Sequence, residues 1–216
     1  MNHQIFTVAE KRPVRAGMTI SRGALQGRLC SATYFSLGEG TSISRERYDN
    51  PALYLGDEGR AVFSLGEDGR KVTLEKGELL AVPGGTLCGA VSEGGAVYTE
   101  IIIKEDVDMN SLVKSGEIMK LKDLIQYEEE SISNLDIVSG DTVKFVLMAF
   151  DKGTGLQPHR APGNAIVFAL EGEAVIGYEG KEYPISAGEC FRFDKEGLHS
   201  VNARERFKMA LLLVLE

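Results

Sequence analysis

The stretch from Ala165 to Phe193, AIVFALEGEAVIGYEGKEYPISAGECFRF, decides the fold. It opens on a continuous apolar run, Ala165 to Leu170, closed by Glu171-Gly172, which reads as a strand buried on both faces. Two further β-forming segments follow, Ala174 to Tyr178 and Lys181 to Ile185, and Glu179-Gly180 between them reads as a two-residue hairpin turn. Cys190 to Phe193 then alternates as a half-buried strand does. Outward from this stretch, Lys144 to Phe150 is another near-continuous apolar run, and Phe207 to Leu215 closes the pattern. Strands at roughly 8–12-residue spacing, separated by turn glycines, predict an all-β sandwich or barrel.

The pattern occurs twice. A shift of 113 residues lays Ile5 on Ile118, Val8 on Leu121, Gly40-Thr41 on Gly153-Thr154 and Glu58-Gly59 on Glu171-Gly172. Past the next hairpin, whose tip in the first copy is Asp68-Gly69, the offset becomes 111 and Gly77-Glu78 falls on Gly188-Glu189. The matched positions are mostly turn glycines and apolar strand residues, as expected where backbone geometry is what a repeat preserves. Two units result, 1–104 and 114–216, with the polar segment Lys104 to Lys114 as linker. Ile118, Leu121, Leu124 and Ile125 share one face at helical spacing, which predicts a short amphipathic helix before the second unit.

Composition narrows the function classes. With 216 residues and 43% hydrophobic content the chain can bury a core in each unit. A net charge of −8 argues against a nucleic-acid surface, which needs a basic footprint. The apolar runs, such as Ala210 to Leu215, fall far short of the roughly 18 residues that span a bilayer, so no membrane partner is expected. Met1 to Arg15 lacks the apolar core of a signal peptide. Cys30, Cys88 and Cys190 are widely spaced and odd in number, which predicts a reducing, cytoplasmic setting without disulfides. His3, near the terminus, is expected to be inert.

In the second copy Gly153, His159 and Gly172, then Gly188 and His199, fall at the spacings of two motifs, G-x5-H-x-H-x3,4-E-x6-G and G-x5-P-x-G-x2-H-x3-N. On these residues the chain resembles the cupin superfamily, and its duplication resembles a bicupin. His159-Arg-Ala-Pro-Gly-Asn-Ala165 with Leu170-Glu-Gly172 is similar to small cupin 2 conserved barrel proteins of uncharacterised function. The resemblance implies two tandem jelly-roll β-barrels, a degenerate one at 1–104 and one holding the pocket at 114–216.

In cupin enzymes the two first-motif histidines, the glutamate and the second-motif histidine hold a divalent metal such as Fe, Mn, Ni or Zn. Here the second histidine position is Ala161, and the glutamate position is Ala165 or Ile166. His159 and His199 remain as metal candidates, with Gln157 and Asn164 able to add only amide oxygens. Catalytic metals usually take three protein ligands, so two imidazoles make a weak site. Asp194 and Glu196 replace the Pro and Gly of the second motif. In the first copy the four ligand positions become Glu46, Tyr48, Ala52 and Cys88, which reads as a decayed site in a structural barrel. Cys88 reads as a packing residue.

The expected site is therefore a C-terminal pocket bounded by His159 and His199 and assisted by Asn164, Gln157 and Arg160. The leading expectation is non-redox binding or sensing of a small polar-headed molecule. A metal-dependent dioxygenase or isomerase with an irregular ligand set is the first alternative, and a solidly packed oligomerisation module, for instance a homodimer, is the second. Fold alone does not choose among them.

Overall fold

The computed structural model describes residues 5–215, so His3 lies outside the described residues. It contains two compact all-β units. Val8–Glu105 and Ser111–Lys120 make up the N-terminal unit. Asp106–Asn110 and the chain from Leu121 onward make up the C-terminal unit, together with Ile5 to Thr7. Relative to linear copies at 1–104 and 114–216, each unit thus holds the leading segment of the other copy.

In the C-terminal unit the described residues form a seven-stranded antiparallel sheet and a four-stranded one. The larger sheet runs Ile5–Phe6, Cys190–Phe193, Asn164–Glu171, Phe207–Val214, Val143–Phe150, Ile132–Ser139, Asp108–Met109. The smaller runs Gly155–Arg160, Leu198–Asn202, Glu173–Tyr178, Lys181–Ser186. Inward side chains of both sheets, including Phe150, Val167, Ile176, Ile185, Phe191, Phe193 and Phe207, form one continuous core. The hairpin at Glu179-Gly180 has positive φ at both central residues, 48° and 76°, as a type I′ turn requires.

The N-terminal unit repeats this plan. One path runs Ile118–Lys120, Glu78–Val82, Ala52–Leu65, Ala96–Ile103, Cys30–Leu37, Thr19–Gln26. The second half of Ala52–Leu65 continues into another sheet, pairing Arg70–Glu75 and Leu87–Val91, with Ser42–Arg47 beyond. Glu46 pairs with Cys88 and His159 with His199 at the same point of each small sheet, each just after a register shift. The offsets of 113 and 111 read from the sequence are therefore the structural offsets as well.

The helix expected over Ile118 to Ile125 is a correction. Ile118–Lys120 is a strand paired with Glu78–Val82, and only Leu121–Asp123 turns helically, as a single 3-10 turn. Ladder hydrogen bonds to a buried strand outweigh a helical pattern of eight residues, which is too short to be stable alone. Leu121 and Ile125 are nonetheless buried, and Ile118 and Leu124 half-buried. The linker Lys104 to Lys114 is also more structured than its polarity suggests, since Asp108–Met109 pairs with Ile132–Ser139.

Glycines 59 and 172 mark the crossing from one sheet to the other. Gly59 has φ 66° and an added Cβ would lie 2.2 Å from the Gly95 carbonyl oxygen; Gly172 has φ 74° and a Cβ 1.9 Å from that of Arg206. Just before the first crossing, a bulge between Gly56 and Glu58 carries Asp57, whose carboxylate accepts a 2.8 Å hydrogen bond from the buried Thr99 hydroxyl. Burial raises the Asp57 pKa to about 7, against the opposing pull of Thr99 and the Lys76 charge.

Two outcomes are expected. Gly172→Ala should cost about 3 kcal/mol or more in denaturant unfolding, since strain and a backbone clash add. Gly153→Ala, at φ 77° with open space around it, should cost about 1 kcal/mol. A carboxyl raised on folding contributes stability below its unfolded pKa and loses it as pH rises through the folded value. Asp57→Asn should therefore gain on wild type by on the order of 2 kcal/mol between pH 5 and pH 8. A constant gap across that range would show that Asp57 does not titrate there.

Candidate functional site

Strand pairing brings His159 and His199 together, with ring centroids 4.1 Å apart. His199 is buried and stacks on Phe193, again at 4.1 Å, while His159 is exposed. Both imidazoles are tethered the same way. Nδ1 of His159 lies 2.9 Å from the Gln157 carbonyl and Nδ1 of His199 lies 3.1 Å from that of Gly197. A carbonyl only accepts, so each Nδ1 carries a proton, and in a neutral ring Nε2 is then left as an acceptor. Burial lowers the His199 pKa, the Gly197 carbonyl opposes this, and the neighbouring His159 adds to it. His199 is thus held neutral.

The other residues expected around this pair are engaged elsewhere. Asn164 Oδ1 accepts a hydrogen bond from the Lys195 amide, and Arg160 donates to the Glu196 carbonyl at 2.6 Å. Both side chains brace the turn from Asp194 to Gly197, where Glu196 has φ 64°. Gln157 is exposed, Asp194 pairs with Arg192, and Ala161 and Ala165 are buried in the core. Tyr178, Phe191 and Phe193 pack ring against ring beneath His199.

This donor set does not fit a catalytic divalent metal. It supplies two imidazoles where such sites use three protein ligands, and the remaining positions carry methyl groups. Among the described residues no three His, Cys, Asp or Glu side chains converge.

The N-terminal barrel is built differently. A cavity of about 40 Å³ lies among Tyr48, Tyr54, Cys88, Tyr98 and Glu100, with Phe35, Ile43, Phe63 and Ala90 completing its wall. Tyr54 packs on Phe63 at 4.6 Å and on the edge of Tyr98 at 5.9 Å, and Phe35 stacks on Tyr98 at 5.4 Å. Glu100 sits opposite Tyr54 in the ladder. Burial raises its carboxyl pKa, and a hydrogen bond with the Tyr54 side chain recovers part of the cost. Burial likewise pushes the Cys88 thiol to about 11, so it is not a thiolate near neutrality and is a poor nucleophile or metal ligand. Glu46, the other acidic residue at a motif position, is exposed.

At the repeat offsets, Tyr48, Tyr54, Tyr98 and Glu100 correspond to Ala161, Val167, Met209 and Leu211. This polar lining is thus peculiar to the first copy, whose motif positions read as decayed. The overlooked signal lies outside the motifs. In Tyr98-Thr-Glu100 alternate residues face one side of the strand, so a carboxylate shares the face of an aromatic barrel residue.

A family model for the cupin domain matches residues 146–215. No curated protein matches the sequence. Among solved structures, a cupin 2 conserved barrel domain protein from Leptotrichia buccalis superposes with a TM-score of 0.85 at 23% identity, covering 97% of this chain and 95% of that one. The salicylate 1,2-dioxygenase of Pseudoaminobacter salicylatoxidans, in a structure of its adducts with gentisate, gives a TM-score of 0.68 at 14% identity, covering 97% and 80%. These likenesses establish the fold, two tandem jelly-roll barrels, and not the chemistry. Residues 146–215 match the cupin domain model, and nearly the whole chain shares its fold with a cupin 2 conserved barrel domain protein.

Proposed function

We propose that this chain is a small-molecule-binding cupin, without redox chemistry, and that its working site is the cavity of the N-terminal barrel. The observation that carries the reading is a half-buried carboxyl, Glu100, kept among three phenols in the wall of a cavity that could have been closed with apolar side chains. The equivalent face of the other barrel is closed that way, by Val167, Met209 and Leu211. A buried ionisable group costs stability unless something compensates it, and a ligand is one such compensation. Three buried cysteines outside any disulfide support a reducing, cytoplasmic setting. No helix among the described residues is long and apolar enough to cross a membrane.

A second reading keeps the pair His159 and His199 as a ligand site. It is favoured by their common tether, which leaves two Nε2 acceptors side by side for a hydrogen-bond donor or a weakly held ion. Under that reading the kinship in fold with a dioxygenase would extend to a metal. Elemental analysis after purification without added metal is expected to find only trace amounts. Near-stoichiometric metal, lost in both His159→Ala and His199→Ala, would instead support the metal-dependent enzyme.

The binding reading is checked by thermal unfolding against a library of small neutral, anionic and cationic molecules. A compound at ten times its Kd should raise the midpoint by about 3–5 °C. The rise should vanish in Ala90→Leu, which fills the cavity from its wall. A library silent on wild type would overturn the proposal.

A further inference from the structure

We infer, building on the binding reading above, that the N-terminal cavity takes the primary ammonium head of a small aliphatic amine, with Glu100 as its counter-ion and Tyr48, Tyr54 and Tyr98 as its walls. The first support is charge. Glu100 lies in the cavity wall opposite Tyr54 in the ladder, and the Tyr54 side chain hydrogen-bonds with its carboxyl. Arg45, the cation near Cys88, is turned away and donates to the Gly66 carbonyl. A carboxylate in low dielectric is favoured by an opposite charge within a few ångström.

The second support is the wall. Aromatic faces carry negative potential and attract a cation placed over them, the more so where it is desolvated. Phenol and carboxylate oxygens also accept hydrogen bonds, so all three N–H donors of an ammonium group can find partners. An anionic ligand would meet the Glu100 charge in the same space.

The third support is size. At about 40 Å³ the cavity has room for roughly three waters, by the ~10–15 Å³ each requires, and is far below the ~150 Å³ that holds benzene. A quaternary ammonium or a ring does not fit, whereas a primary ammonium with one or two methylenes does. Tyr48 both lines the cavity and is 36% exposed, which marks the side where the rest of an alkyl chain would leave.

The test uses three probes that share one tail, n-butylammonium, n-butanol and butyrate, titrated into the full chain at pH 8. Binding is followed by calorimetry and by tyrosine fluorescence, which is readable because the chain has no Trp. Butylammonium is expected to bind at least ten-fold more tightly than either of the others. Glu100→Gln should reduce its affinity at least ten-fold, and Glu100→Asp should restore part of the loss. An unfolding scan of each variant establishes that it is folded. Butanol or butyrate binding as well as butylammonium, or Glu100→Gln leaving butylammonium unchanged, would overturn the ligand class while leaving the binding reading intact. If none of the three binds, the amine inference falls; the binding reading falls with it only if the wider library is silent too.

Discussion

In each barrel the chain must pass from one sheet to the other without losing its place in either ladder, and the passage is made at a glycine. Before it, Ala52 to Leu55 pair with Glu78–Val82 and Ala96–Ile103; after it, Arg60 to Leu65 pair with Arg70–Glu75, and Val62 to Leu65 also with Leu87–Val91. The carbonyl of Gly95 occupies the position a Cβ on Gly59 would take, and Arg206 does the same at Gly172. A left-handed φ and the missing side chain are both required there. Because side chains alternate along a strand, a slip of one residue at this crossing would turn every inward residue outward. The crossing therefore fixes which residues face the barrel interior, Tyr54 and Phe63 in one copy and Val167 and Ile176 in the other.

That dependence explains what could be read from the chain alone. Strand order and turns follow from backbone requirements, which glycine positions and apolar runs report directly, and hence the duplication and the barrels were legible. The Glu179-Gly180 hairpin is a case where two residues specify a turn by themselves. Ile118 to Ile125 is the opposite case. Its apolar spacing suits either a helix or a strand end followed by a turn, and the choice is made by a distant partner, Glu78–Val82. The short strands Ile5–Phe6 and Asp108–Met109 are likewise created by what lies beside them.

The site was legible in part for a related reason. Motif spacing located the equivalent pairs, His159 with His199 and Glu46 with Cys88, and strand register agrees. It did not indicate the polar cavity of the N-terminal barrel, because that depends on side chains at positions outside the motifs. In the C-terminal barrel, phenylalanine rings and Tyr178 fill the interior under His199. In the N-terminal barrel, tyrosines surround a carboxyl group, and a small space remains. The two copies have diverged in complementary directions, one keeping imidazoles over a packed interior and the other keeping a polar interior without imidazoles.

The exchange of short segments between the units bears on how the protein is made. Ile5–Phe6 is synthesised long before its ladder partner, Cys190–Phe193, which lies beyond most of both copies. At about 5–20 residues per second the strand waits on the order of 10–40 s with its edge unmatched while the ribosome completes the second copy. The reciprocal strand, Ile118–Lys120, has no such delay, since Glu78–Val82 precedes it. The first barrel can thus close while the second copy is still being made, whereas the second can close only once Cys190–Phe193 and Phe207–Val214 have emerged.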